Sequence, residues 1–198
     1  GSEMCIRDSS NILDLAVTFA YPNSDKEPAG EAKTPGTVKC ETKLDFTSSN
    51  PLTEQQQKDY GIYFEDNTDG SHTLTLYNAN IEVALEVARF GQVSGIINLP
   101  ANTKVILMGV NNIKNTIATS SNAAASVFMK GDGFISSDSA TNGELNMSGG
   151  GYGIYSESSS EGEVRFENAK INFSDSNYTS GSGIFISYAK QNVIFDNS

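Results

Sequence analysis

The sequence contains no tryptophan, one histidine, two cysteines and five prolines in 198 residues. A single histidine leaves no Ser-His-Asp, Cys-His or zinc-binding set that can be assigned. Five prolines against 18 glycines favour many short strands joined by tight turns. No stretch approaches the roughly 20 apolar residues that a membrane span needs, so we expect no membrane insertion.

Basic residues are also scarce, with 13 Lys and Arg against 24 Asp and Glu and a formal net charge of −11. A nucleic-acid partner needs a basic surface, so we expect none. An acidic surface is typical of secreted proteins and also serves plain solubility. Because Cys5 lies in a terminus that looks non-native, Cys40 is the cysteine to interpret, and we predict a small buried residue rather than a nucleophile.

The N-terminal quarter differs in composition from the rest of the chain. Residues 1–9 are predicted to be non-native, because Gly1-Ser2 looks like a cloning scar and the next seven residues resemble translated adapter sequence. Residues 10–59 are predicted to be an N-terminal capping segment, because an open solenoid must protect its first coil. Its expected parts are a strand over 13–19, an exposed loop over 22–36, a strand over 37–46 and, after a capping box at Thr53 and Gln56, a short helix over 54–59.

An internal repeat dominates residues 60–198. Each unit opens with Gly or Ser before an alternating apolar run, and the openings are Gly61, Gly95, Ser126, Gly153 and Gly183, spaced by 34, 31, 27 and 30 residues. A second strand-like run follows in each unit, beginning at Thr73, Lys104, Glu144, Glu163 and Asn192. A period near 30 with several strands per unit is typical of a solenoid.

The alternation within the runs predicts the fold class. Val164 and Phe166 should point into a core, whereas Arg165 and Glu167 should point out, which is a period of 2 rather than 3.6. We therefore predict an all-β protein, a right-handed parallel β-helix of about five coils over residues 60–198. The chain stops at Ser198 directly after a strand, so the β-helix is expected to be truncated there or to pair with another chain.

The repeats resemble a known family over about 140 residues. The likeness is carried by the segments 74–81, 104–113, 143–150 and 153–155. They resemble bacterial extracellular carbohydrate-binding domain-containing proteins with a pectate-lyase-like right-handed β-helix. The resemblance implies an extracellular β-helix that binds sugar.

The third residue of each unit opening suggests a binding surface. These residues are Tyr63, Ile97, Phe128, Tyr155 and Phe185. Stacked coils should place them in one outward column, with the four aromatic rings forming a platform for sugar rings. The alternative is that residues 10–59 or a neighbouring domain cover this stripe, and the sequence leaves both open.

Two further groups were considered for chemistry. Glu65, Asp66 and Asp69 gather oxygen ligands before a glycine, which suits calcium but equally suits a plain turn that would also contain His72. Arg165 is a potential base of a polysaccharide lyase, and the alternative is an exposed ion pair with Glu167. No other basic or histidine–carboxylate set supports catalysis.

The sequence therefore favours a non-catalytic extracellular module that binds a polysaccharide or another cell-surface glycan, as an adhesin does. A structural spacer of a larger surface protein is the alternative, and a polysaccharide lyase is the third possibility. An open aromatic column would favour binding, and a buried column would favour the spacer. An outward cluster of carboxylates with Lys or Arg would favour the lyase.

Overall fold

A computed structural model describes residues 39–87, 94–117, 122–137, 141–157, 162–174, 182–186 and 191–196. Within these ranges the chain forms one short α-helix and sixteen β-strands. They are β1 (Lys39–Cys40), β2 (Leu44–Asp45), α1 (Glu54–Tyr60), β3 (Ile62–Asp66), β4 (His72–Tyr77), β5 (Asn80–Val83), β6 (Gly95–Leu99), β7 (Thr103–Met108), β8 (Val110–Asn115), β9 (Ala125–Met129), β10 (Gly133–Ser137), β11 (Glu144–Ser148), β12 (Tyr152–Ser156), β13 (Gly162–Glu167), β14 (Lys170–Ser174), β15 (Ser182–Ile186) and β16 (Gln191–Asp196). The predictions for residues 1–9, 13–19 and 22–36 lie outside the described residues.

The described strands form three sheets, and consecutive strands pass from one sheet to the next except at β3 and β4, which lie in the same sheet. Sheet A has the order β1-β5-β8-β11-β14, sheet B the order β2-β6-β9-β12-β15, and sheet C the order β3-β4-β7-β10-β13-β16. Every pairing among them is parallel except that of β3 with β4. The chain is therefore a parallel β-solenoid, which confirms the predicted all-β class.

The core lies between the three sheets and follows the predicted alternation. On sheet C, parallel pairing aligns Leu74, Val105, Ile135, Phe166 and Phe195 in one inward row. Phe166 is fully buried and stacks on Phe195 with ring centroids 5.0 Å apart. Cys40 is also buried in the core, as predicted. Arg165 and Glu167 are partly exposed on the opposite face of the same strand, so the predicted register of β13 is confirmed.

The capping box is present where the sequence predicts a helix. The Thr53 hydroxyl accepts a hydrogen bond from the Gln56 amide at 3.2 Å, and the Gln56 side chain accepts one from the Thr53 amide at 2.9 Å. The helix ends at Gly61, which has φ of +65°. Upstream of the helix, β1 and β2 extend sheets A and B in parallel, so residues 39–46 continue two of the sheets.

The run at Ile62 does not pair as predicted. We expected it to lie parallel to the run at Ile96, but β3 pairs antiparallel with β4 and forms a hairpin at the end of sheet C. The reason is a tight turn: the Asn67 amide donates to the Ser71 carbonyl at 2.9 Å, and Gly70 has φ of +81°. A turn this short returns the chain directly beside the strand it has just left.

The run at Glu144 also belongs elsewhere. It was expected to be the counterpart of the runs at Lys104 and Glu163, but β11 lies in sheet A between β8 and β14. The counterpart in sheet C is β10, which pairs with β7 and β13. The apolar alternation of residues 133–137 is weaker than that of the run at Glu144, so alternation alone favours the wrong run for this place in the unit.

The outer face of sheet A carries a ladder of asparagines. Asn80, Asn112, Asn146 and Asn172 are aligned by the parallel pairing of β5, β8, β11 and β14. The Asn172 amide donates to the Asn146 side-chain oxygen at 2.8 Å, and the Asn146 amide donates to that of Asn112 at 3.3 Å. Three of the four asparagines are thus hydrogen-bonded from coil to coil.

Candidate functional site

Three of the four predicted column aromatics lie together on sheet B. The pairing of β9, β12 and β15 aligns Phe128, Tyr155 and Phe185. The ring centroids of Phe128 and Tyr155 are 5.8 Å apart, and those of Tyr155 and Phe185 are 4.9 Å apart. Offset stacking at these separations is the favourable arrangement of aromatic rings. We call these three residues the aromatic column.

Tyr63 and Ile97 are not members of the column, contrary to the prediction. Tyr63 lies on β3 in sheet C, because the β3–β4 hairpin takes that strand out of the solenoid order. Ile97 aligns with Val127, and Asn98 is the residue that aligns with Phe128. A shift of one residue moves a side chain to the other face of a strand, which removes Ile97 from the outward row.

The aromatic column is largely closed to solvent. Phe128 is 4% exposed and Tyr155 is 9% exposed, whereas Phe185 is 37% exposed. Tyr152 packs against the same rings, with its centroid 5.3 Å from those of Tyr155 and Phe185. Only the Phe185 end of these three rings therefore offers substantial surface to a ligand.

Tyr63 sits in a separate buried cluster with Tyr77, Ile106 and Met108. Burial, together with the nearby Tyr77 and Asp59, raises the pKa of Tyr63 to about 12. Burial also raises the pKa of Tyr77, whose buried hydroxyl has no hydrogen-bond partner among the described residues. These environments stabilise the neutral phenols.

The three carboxylates predicted as calcium ligands are arranged around a turn. The Asp69 carboxylate accepts hydrogen bonds from the Ser71 hydroxyl at 2.6 Å and the Ser71 amide at 2.9 Å, and both lower the pKa of Asp69. Asp66 contacts the ring of His72, with 2.8 Å between Oδ1 and Nδ1, and Glu65 precedes it on β3. His72 itself opens β4 rather than lying in the turn. No group of three or more metal-ligating side chains is found in the described ranges.

An open cleft lies on the outer face of sheet C, where the sequence pointed to Arg165 alone. Parallel pairing places Lys104, Phe134 and Arg165 side by side on β7, β10 and β13. Because Val105, Ile135 and Phe166 point inward, these three neighbours point outward. The cleft has a volume of about 380 Å³, and its remaining lining residues are Asn102, Thr103, Asp132, Gly133 and Glu163. We call it the sheet C cleft.

Charged groups in the sheet C cleft have defined partners. Arg165 Nε donates to Glu163 Oε1 at 2.8 Å, so the ion-pair partner of Arg165 is Glu163 rather than the predicted Glu167. This hydrogen bond and the charge of Glu163 raise the pKa of Arg165. The Asp132 carboxylate accepts a hydrogen bond from the Glu163 amide at 3.0 Å, which ties the turn before β10 to the next coil.

Lys104 differs from Arg165 in its surroundings. Its Nζ lies 5.2 Å from the centroid of the Phe134 ring, a cation–π geometry. The Lys104 side chain is exposed and forms no ion pair in the part of the chain that the structure describes. The sheet C cleft thus combines one aromatic ring, an ammonium group without an ion-pair partner in the described ranges, and a fixed guanidinium–carboxylate pair.

One signal in the sequence points to the sheet C cleft. β7 begins eight residues after β6, and β10 begins eight residues after β9. Applying this offset to these two units aligns Lys104 with Phe134 as outward residues. It does not extend to Arg165, because β13 begins ten residues after β12.

Comparisons of the chain with protein-family models, curated proteins and solved structures find no match. Among the described residues no helix has the length and apolar character to cross a membrane.

Proposed function

We propose that this protein is a non-catalytic extracellular module that binds a polysaccharide or cell-surface glycan, and that the sheet C cleft is the binding site. The observation that carries the proposal is the half-buried Phe134 ring in an open cleft, flanked in register by Lys104 and Arg165. The apolar faces of sugar rings pack on aromatic rings. Charged side chains beside the ring supply hydrogen bonds to hydroxyl groups.

The dimensions of the solenoid suit a linear ligand. Neighbouring strands are about 4.8 Å apart, so the step from Lys104 through Phe134 to Arg165 covers roughly 10 Å along the solenoid axis. A sugar chain lying in this direction contacts equivalent positions on successive coils. The proposed architecture is right-handed, with about five coils and an N-terminal cap within residues 10–59.

The proposal is tested by removing the stacking ring. Phe134→Ala is expected to weaken binding of a glycan selected from an array by about 1–3 kcal/mol, by analogy with bases stacked on aromatic side chains. Isothermal titration calorimetry with and without Ca²⁺ measures this and also tests a calcium role for Glu65, Asp66 and Asp69. Unchanged affinity of Phe134→Ala for the selected glycan would exclude the sheet C cleft as the site.

Phe185→Ala is the matched control, because Phe185 is the exposed end of the aromatic column. We expect this variant to bind as the parent does. If Phe185→Ala loses affinity and Phe134→Ala does not, the glycan binds at the aromatic column on sheet B instead.

A structural spacer of a larger surface protein is the alternative function. The burial of Phe128 and Tyr155 supports it, because their stacked rings join successive coils instead of facing a ligand. A parent protein that binds nothing on a broad glycan array would favour the spacer.

A polysaccharide lyase is the third candidate, and the sheet C cleft contains the outward cluster that it needs. Lys104 and Arg165 lie there with Asp132 and Glu163. A base must lose its proton first, however, and the Glu163 carboxylate raises the pKa of Arg165 and keeps it charged. Binding is therefore preferred. Release of unsaturated oligosaccharides from an acidic polysaccharide by the purified protein would establish the lyase.

A further inference from the structure

We infer that the sheet C cleft selects glycans that carry an anionic group, a carboxylate or a sulfate, and that Lys104 is the residue that binds this group. The inference rests on the proposed function, because it assumes that a sugar chain packs on Phe134. The observation behind it is which charged side chains of the cleft already have an ion-pair or hydrogen-bond partner.

Three of the four charged side chains in the cleft are already engaged. Arg165 and Glu163 form a hydrogen-bonded ion pair at 2.8 Å. The Asp132 carboxylate accepts a hydrogen bond from the Glu163 backbone amide at 3.0 Å and so fixes β13, the strand that carries this pair. Glu163 offsets the charge of Arg165, and an anion that approached the remaining guanidinium N–H groups would also approach the Glu163 carboxylate. Arg165 is therefore a poor first contact for an anion.

Lys104 has no such competitor. Its ammonium group forms no ion pair in the described part of the chain and is held near the Phe134 ring at 5.2 Å from the centroid. A sugar ring that stacks on Phe134 therefore comes within reach of this ammonium group. An exposed cation–π contact is weak, so it orients Lys104 without preventing a charge-assisted hydrogen bond to the ligand.

Because the protein as a whole is acidic, binding of an anionic ligand depends on a local positive charge. With a net charge of −11, the protein repels polyanions at long range, and a positive group in the cleft has to offset this repulsion locally. The carboxylates of Glu163 and Asp132 set an additional limit, because an anionic group must lie on the Lys104 side of Phe134. The cleft thus prescribes both the charge of the ligand and the side on which it is held.

The experiment uses glycan backbones that are each present in four forms: neutral, hexuronate, hexuronate methyl ester and sulfated. Affinities are measured for the full chain, for Lys104→Met and for Lys170→Met. Lys170 is the control, because it is an exposed lysine on sheet A that pairs with Glu144 at 2.9 Å. Methionine keeps most of the length of the lysine side chain and removes its charge.

We expect the parent to bind the hexuronate or sulfated form about tenfold more tightly than the methyl ester or neutral form, the scale of one charge-assisted hydrogen bond. Lys104→Met should lose this preference, because its affinity for the anionic forms should fall about tenfold more than its affinity for the neutral form, and Lys170→Met should behave as the parent. Preference for hexuronate over sulfate, or the reverse, identifies the anionic group.

Two results would overturn the inference and leave the proposed function intact. One is equal affinity of the parent for the hexuronate and its methyl ester. The other is an equal loss of affinity for neutral and anionic forms in Lys104→Met, which would mean that Lys104 shapes the cleft without reading charge. Failure of the parent to bind any form would overturn the proposed function together with the inference.

Discussion

The side-chain oxygen of Asn78 accepts a hydrogen bond from the backbone amide of Val110, 32 residues later on the next coil, at 3.0 Å. Both residues lie where the chain turns from sheet C to sheet A. Asn78 has φ of +45° and Gly109, just before Val110, has φ of +66°, so both turns use the left-handed conformation. A Cβ atom on Gly109 would overlap the Asn78 side-chain oxygen. The two turns can stack in this way because residue 109 is glycine.

Gly109→Ala should therefore destabilise the fold by about 2–3 kcal/mol, combining left-handed strain with loss of the hydrogen bond from Val110 to Asn78. Gly70→Ala is the matched control, because Gly70 has φ of +81° and nothing within 4 Å of the added Cβ. It should lose about 1 kcal/mol from strain alone. Urea denaturation measures both variants, and equal losses would contradict the proposed role of the Asn78 contact.

Phe166→Ala should lower the free energy of unfolding by about 3–5 kcal/mol, because it empties a large site in the core. Phe166 is completely buried. Phe195→Ala, in the next strand of the same row, should lose much less because Phe195 is 58% exposed. A loss below about 1 kcal/mol for Phe166→Ala in chemical denaturation would mean that the row does not face the core.

Tyr63 should make the fold sensitive to alkaline pH. Its pKa is raised to about 12 in the folded state, whereas the unfolded chain releases the proton near the ordinary value of 10.0. The folded state thus binds the phenol proton more tightly than the unfolded chain does. The stability that Tyr63 contributes is therefore fully present below pH 10 and is lost as the pH rises to 12. Two pKa units correspond to about 3 kcal/mol.

Tyr63→Phe removes this dependence and leaves that of Tyr77, whose pKa is also raised by burial. Plots of unfolding free energy against pH should therefore be flatter for Tyr63→Phe than for the parent between pH 10 and 12. Parallel plots would show that Tyr63 ionises normally in the folded protein.

Tyr155→Ala distinguishes a stabilising role of the aromatic column from a binding role. Tyr155 lies between the rings of Phe128 and Phe185, so its removal should destabilise the protein by about 3 kcal/mol. Glycan affinity should stay unchanged at a temperature where the variant is folded, because the ring is buried. Thermal melting and calorimetry on the same sample separate the two effects. Lost affinity in a fully folded Tyr155→Ala would place the ligand on sheet B.

The parts of the fold that the sequence predicts are those encoded within a few residues. Alternation in β13 directly identifies Phe166 as inward and Arg165 as outward, because a strand reverses its side-chain direction at every residue. The capping box needs only Thr53 and Gln56, three residues apart, and α1 begins where they predict.

The parts that the sequence did not predict depend on which strands become neighbours. Tyr63 follows the same alternation in an antiparallel hairpin as in a parallel coil, so the alternation does not reveal the direction of β3. The sheet C cleft joins Phe134 to Lys104 and Arg165, each about 30 residues away, and an offset of one residue would turn any of them inward. Ile97 shows how easily that offset is misjudged.

The asparagine ladder on sheet A restricts how this protein can change in length. Each side-chain amide donates a hydrogen bond in the same direction, from Asn172 to Asn146 and from Asn146 to Asn112. Each asparagine must therefore lie directly beside the asparagine of the neighbouring coil. Loss of one residue from β11 would turn Asn146 away and interrupt the series. Loss of a whole coil would instead bring Asn172 beside Asn112 and restore it. We therefore expect that insertions and deletions of complete coils preserve the ladder, whereas those within the strands interrupt it.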